Sequence, residues 1–255
     1  MLGITVLVFT PLIAMGEIGG IGLRGSVAPL SIGVIIGAFM FGVGMQLGGG
    51  CASGTLFTAG GGNMRMVVTL LAFIAGSVLG SYHWALWQDA PALQPVALSQ
   101  SFGAVGGIVI SLLIFGGIWL AAKAYEKHRL GSVANDREVE LPYRFLRGPW
   151  PLLAGALALA GVNIATLLLA GRPWGVTSAF ALWGAKFLQG IGFDVSQWAY
   201  WARPGSAASL EASIFTDVTS VMNIGIILGA LVAASLAHKY APSFRIPWRS
   251  LLAAV

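Results

Sequence analysis

Long apolar runs alternate with short polar or glycine-rich breaks along this chain. Residues 2–14 are apolar but fall short of the roughly 20 residues a helix needs to cross a bilayer. They lack the basic start and small-residue cleavage site of a signal peptide, so they read as part of a helix. Residues 29–47 are long enough to cross, and the Gly33/Gly37 and Gly44/Gly48 spacings put small residues on a helix face for close packing. Gly48, Gly49 and Gly50 then break the run, 52–59 suits a short helix, and Gly60, Gly61, Gly62 and Asn63 interrupt again. The pattern predicts a broken or re-entrant element. A further span follows over 64–82, with Gly76 and Gly80 in it.

Residues 83–95 carry His83, Trp84, Trp87, Asp89, Pro91 and Pro95, a composition suited to an aqueous interface. Residues 102–122 form the next span, followed by the longest polar stretch, 123–147, with Lys123, Lys127, Arg129, Arg137, Arg144 and Arg147. The positive-inside rule places that stretch on the cytoplasmic side, as a loop between two halves. Residues 150–170 return across the membrane. Arg172 and Pro173 open a second interrupted region over 174–192, whose Gly184, Gly190 and Gly192 echo the first. A loop over 193–206 holds Asp194 and Arg203, and the apolar run 214–237 ends at His238 and Lys239. Beyond Pro242, Arg245, Pro247 and Arg249, a new apolar start at 250–255 is expected to belong to a helix that continues past this chain. A basic residue, a polar break and a small-residue apolar start recur near Arg24 and Arg249, the faint trace that inverted repeats leave. The expected fold is all-α: one polytopic transmembrane domain over 1–255 with interrupted or re-entrant helices and pseudo-symmetric halves.

Composition agrees. The chain is 57% hydrophobic and 9% charged, against about a quarter charged in soluble domains. The net charge of +5 sits in loops beside apolar spans and forms no continuous stripe, so anionic membrane lipid, and not nucleic acid, is the expected partner. A single cysteine excludes an internal disulfide and any cysteine-based metal site. No cofactor or nucleotide motif is visible, and no metal is expected.

The candidate chemistry gathers at the breaks. Gly49 and Gly50 let backbone amides approach a ligand, and a helix starting near Ala52 aims its partial positive end at whatever lies beside Cys51. Ser53 and Thr55 add hydroxyl donors. The competing interpretation makes Cys51 a small buried hydrophobe packed among small residues. Lys186 lies in an apolar stretch, where a central lysine costs about 2.5 to 3.5 kcal/mol and must face protein or water. Asp217 could pair with it, Gln189, Thr216 and Asn223 completing a polar lining; a structural ion pair is the alternative. Trp84, Trp87, Trp150 and Trp174 read as interfacial anchors.

At GGGCASGT (48–55), GRPWGVTSAFALWGAKFLQ (171–189) and TDVTSVMNIGIILGAL (216–231), the chain resembles the YeeE/YedE family of bacterial inner-membrane sulfur transporters. The resemblance runs from about residue 24 to the C-terminus. It implies thiosulfate uptake through an hourglass-shaped helical protein whose interrupted helices meet near the centre, where a short chain of cysteines guides the anion. Cys51 matches the glycine-flanked middle cysteine. The earlier and later family cysteines have no counterpart, so the chain reads as a member without the family's N- and C-terminal segments, or as a divergent one. The resemblance carries Cys51 as a substrate contact; the residue chemistry above adds Gly49, Gly50, Ser53, Thr55, Lys186, Gln189 and Asp217 as expected contacts to thiosulfate, and a small soluble sulfur-carrier protein is a candidate partner. Two other functions remain: a membrane sulfurtransferase forming a persulfide on Cys51, and a glycine-rich pore for another small solute.

Overall fold

The computed structural model describes residues 1–131, 150–242 and Trp248. Arg137, Arg144, Arg147, Arg245, Pro247, Arg249 and the apolar start at 250–255 lie outside the described residues. In chain order the elements are α1 (Leu2–Met15), β1 (Glu17–Ile18), β2 (Ile21–Gly22), α2 (Ile32–Gly48), α3 (Ala52–Gly60), α4 (Met64–Tyr82) and α5 (Trp84–Gln88). Then come α6 (Leu98–Ser101), α7 (Gly103–Leu130), α8 (Leu152–Ala170), α9 (Thr177–Gly190), α10 (Pro204–Glu211), a 3-10 turn (Ile214–Thr216) and α11 (Val218–Leu236). Five stretches are long and apolar enough to cross a membrane: Ile32–Gly60, Met64–Tyr82, Gly103–Leu130, Leu152–Ala170 and Val218–Leu236.

Helix starts follow side-chain capping. Ser31 accepts from the Val34 N–H at the start of α2, Asn63 from Met66 at α4, and Asp217 from Ser220 at α11. The sequence boundaries of α4 coincide with the observed ones, because a capping asparagine opens an uninterrupted apolar run. The polar stretch after residue 122 begins inside α7, which continues to Leu130. The Lys123 ammonium lies 4.1 Å from the Trp119 ring centroid, and Arg129 Nε donates to Tyr125 Oη at 3.2 Å. Side-chain pairs four residues apart sustain a helix whose composition alone reads as loop. Gly131 ends it in the left-handed conformation.

The chain divides into two compact units, Met1–Pro29 with Gln94–Trp174, and Leu30–Leu93 with Gly175–Val255. In the first, α1 packs on α7 and α8. The short antiparallel hairpin β1–β2 joins the end of α8, where the Arg24 N–H donates to Gly171 O at 2.8 Å. An open cavity of about 380 Å³ in this unit is lined by Thr10, Ser99, Gln100 and Ser111 among others, with no charged side chain.

The second unit holds both interrupted regions. Its centre is Phe180 on α9, fully buried, with Phe73 of α4 at 6.0 Å and Trp183 at 5.8 Å between ring centroids. Ala52 and Leu56 of α3 complete the cluster. Lipid offers no hydrophobic drive for helices to associate, so close approach at small residues does the work. A Cβ on Gly184 would collide with Val78 and touch Ile74, which seats α9 on α4. A Cβ on Gly60 would run into the carbonyl oxygen of Ile227 and lie 3.0 Å from Ala230 Cβ, which seats α3 on α11.

These contacts fix directions. Phe73 meets Phe180 and Val78 meets Gly184, so α4 and α9 run the same way. Asn223 Nδ2 donates to Val176 O at 2.9 Å, and Ser178 Oγ to Thr219 Oγ1 at 3.2 Å, so α11 runs against α9. Ala52 packs at Phe180 while Gly60 packs at Ile227, so α3 runs with α11. The starts of α3 and α11 therefore lie at nearly the same level beside the middle of α9.

Because the obstacle at Gly60 is backbone, Gly60→Ala is expected to cost about 1–3 kcal/mol. Gly37→Ala, where nothing lies within 4 Å of the added carbon, is expected to be neutral. Thermal unfolding of the detergent-solubilised variants checks this: a Gly60→Ala midpoint equal to that of Gly37→Ala would show that the α3–α11 seam is not tight.

Candidate functional site

The interruption between α2 and α3 is built from three glycines with three separate tasks. Gly48 packs on α4, where a Cβ would sit 3.3 Å from Thr69 Cγ2. Gly49 caps α2 at φ 81°, its N–H donating to Met45 O at 3.0 Å. That left-handed conformation is the one glycine takes without strain. Gly50 lies against Thr55, a Cβ there falling 3.6 Å from Thr55 Oγ1. The glycine run thus serves packing and capping as well as exposing backbone.

Cys51 is the N-cap of α3 and is exposed. Its Sγ accepts from the Gly54 N–H at 3.4 Å and lies 3.4 Å from Ser53 Oγ. The exposure and these contacts speak against a thiol packed as a buried hydrophobe. Thr55 is fully buried; its N–H donates to Cys51 O at 2.8 Å, and its Oγ1 has no hydrogen-bond partner among the described residues. Buried polar atoms are nearly always paired, so an orphaned hydroxyl beside the break marks a place for a ligand or water.

The two neighbouring helix starts differ in charge. At α11, Asp217 Oδ2 accepts from the Ser220 N–H and from Ser220 Oγ, both at 2.7 Å, so a carboxylate answers the positive helix end. At α3 the cap is a cysteine sulfur, a weak acceptor, and the N–H groups of Ala52 and Ser53 have no intrahelical acceptor. Of the two helix starts, only the one at α11 is capped by a carboxylate.

Lys186, on α9, donates from Nζ to Leu210 O and to Ala212 O, both at 2.7 Å. The ammonium thereby ties the end of α10 to α9, and the segment it holds leads directly to Asp217. Gln189 is exposed one turn further along α9. Thr216 Oγ1 donates to Ser213 O at 2.6 Å, and Asn223 Nδ2 to Val176 O. The structure thus brings Gly49, Gly50, Cys51, Ser53 and Thr55 into one constellation and sets the Asp217 helix start beside it, while Lys186 serves the segment behind.

Two further residues escaped the sequence reading. Trp183 Nε1 donates to Ser220 Oγ at 2.9 Å, and that hydroxyl donates on to Asp217, joining α9 to the start of α11. Arg65, in the first turn of α4, lies against Gly49: a Cβ there would be 3.4 Å from its Nη2. A cation opening an apolar helix directly after a glycine-rich break was the available signal. Among the aromatic residues, Trp84 packs edge-on against Tyr200 and stacks with Arg203, whose guanidinium carbon is 4.9 Å from its ring centroid.

A family model described as sulphur transport matches residues 1–255. The chain is 27% identical over 219 residues to the thiosulfate transporter TsuA of Spirochaeta thermophila, covering 82% of this chain and 58% of that protein. It is 30% identical over 111 residues to the probable transporter YedE of Escherichia coli, covering 42% of this chain and 27% of that one. The thiosulfate transporter TsuA of Escherichia coli is 22% identical over 214 residues, with 82% and 56% covered. The chain thus spans less than two thirds of the length of these relatives. With the match over its whole length, the chain belongs to the sulphur transport family.

Proposed function

We propose that this chain takes part in thiosulfate uptake across a bacterial inner membrane, with the break between α2 and α3 as a contact on the pathway. The observation that carries the proposal is the exposed thiol of Cys51, capping a helix N-terminus that has no acidic residue in its first turn, inside a stretch apolar enough to span. Thiosulfate has charged oxygens and a polarizable terminal sulfur. The amides of α3 and the hydroxyls of Ser53 and Thr55 suit the oxygens, and the Cys51 thiol suits the terminal sulfur through a weak S–H···S contact. Such contacts favour entry without preventing release. Family membership and the names of the relatives support the substrate class.

Sulfur transfer would use the same atom differently. The Cys51 thiolate would attack the terminal sulfur, form an S–S bond and release sulfite, and a base would have to take the thiol proton. Among the described residues the thiol's polar neighbours are Ser53 and the Gly54 N–H, neither of them a base. This favours passage over transfer, and with it a transporter over an enzyme.

Uptake of radiolabelled thiosulfate by cells relying on this chain tests the proposal. Cys51→Ala keeps the small volume and removes the sulfur contact, so uptake is expected to fall about tenfold at matched expression, as loss of about 1.4 kcal/mol implies. Unchanged uptake would remove Cys51 from the pathway. Mass spectrometry of the Cys51 peptide, after rapid quenching during uptake, is expected to show the unmodified thiol. A one-sulfur adduct appearing and decaying at the rate of turnover would establish transfer instead.

A further inference from the structure

In the second unit, Arg65 is a partly buried charge with few partners. Its guanidinium offers five N–H donors, yet among the described residues its one hydrogen bond is Nη2 to Leu47 O at 3.5 Å, the limit of such a contact. The Nε atom is buried with no partner. The side chain sits in the first turn of α4, where the helix dipole already opposes a cation. It is turned onto Gly49, whose missing side chain leaves room for the guanidinium two residues before Cys51.

Capping explains only part of this. A cation near the carbonyl end of α2 is favourable, but one long contact uses one donor of five. Lysine would serve that purpose as well as arginine. What arginine adds is a planar fork that matches two oxygens of a tetrahedral or planar oxyanion at once. Beyond the carbonyl end of α2, the break is bordered by the amide end of α3 and by the guanidinium, both positive.

We propose that Arg65 is an oxyanion-binding residue at the α2–α3 interruption, taking two oxygens of a sulfur oxyanion through its unused N–H groups. This rests on the uptake function proposed above and divides its labour: Cys51 reads the terminal sulfur, and Arg65 and the α3 amides read the charged oxygens. The orphaned Thr55 hydroxyl, on the other side of Gly50, is positioned for the same solute.

The test uses the full chain, purified and reconstituted in liposomes, as wild type, Arg65→Lys and Arg65→Gln. Half-saturation for radiolabelled thiosulfate and the thermal midpoint with and without millimolar sulfate or thiosulfate are measured for each. Arg65→Gln is expected to raise half-saturation about tenfold and Arg65→Lys several-fold, since the charge remains but the fork is lost. Both should keep the wild-type midpoint without anion, and Arg65→Gln should lose the anion-induced rise. Unchanged half-saturation in either folded variant overturns the proposal, as does a fall in the anion-free midpoint of both, which would assign Arg65 to capping. If wild type shows no thiosulfate uptake but its anion-induced rise disappears in Arg65→Gln, the uptake function fails and the oxyanion site stands. If wild type shows neither thiosulfate uptake nor a rise with either anion, both fail.

Discussion

A helix broken inside an apolar layer must find new partners for the backbone groups that the break sets free, because lipid supplies none. That constraint shapes the whole second unit. At the α2–α3 break the cap of Gly49 satisfies one end, and the Cys51 thiol takes the Gly54 amide of the other with a weak sulfur contact. At the start of α11 the same need is met by a carboxylate with two short hydrogen bonds. A strongly satisfied start and a weakly satisfied one thus lie at one level beside α9. The weakly satisfied one has binding capacity to spare, and that is where the thiol, the orphaned hydroxyl and the guanidinium gather.

Holding two such starts together requires rigid packing without help from water. The seams at Gly60 and Gly184 supply it, since both bring helices closer than any side chain would allow. Phe180 fills the space between them, and the chain of hydrogen bonds from Trp183 through Ser220 to Asp217 locks the register of α9 against α11. Lys186 extends the same scaffold outward by clasping the end of α10. Its two carbonyl partners satisfy the ammonium within an otherwise apolar helix.

Much of this was legible in the sequence where local chemistry decides structure. Glycine runs marked both ends of α3, and Asn63 with the apolar run behind it gave α4 its limits. Cys51 stood out because a glycine-flanked thiol in a span is chemically unusual. Legibility failed where distant residues decide. The last turns of α7 look like loop until Trp119 and Tyr125 are seen to hold Lys123 and Arg129. The short α10 owes its place to Lys186, and Arg65 gains meaning only from Gly49, to which no sequence period connects it. The pairing of Lys186 with Asp217 expected from the sequence illustrates the same limit: composition says that a cation in an apolar stretch needs oxygen atoms, and only the fold says that carbonyls of Leu210 and Ala212 provide them.

On the proposed pathway the Cys51 thiol recognises the terminal sulfur of the solute while amides and hydroxyls recognise its oxygens. Sulfate presents an oxygen where thiosulfate presents that sulfur, so comparing the two isolates the thiol's contribution. The measurement is the concentration of each unlabelled anion that halves binding of radiolabelled thiosulfate to the purified chain, in wild type and in Cys51→Ala. The account predicts that wild type prefers thiosulfate by about tenfold and that Cys51→Ala holds the two anions nearly equally. A preference of unchanged size in Cys51→Ala would contradict it.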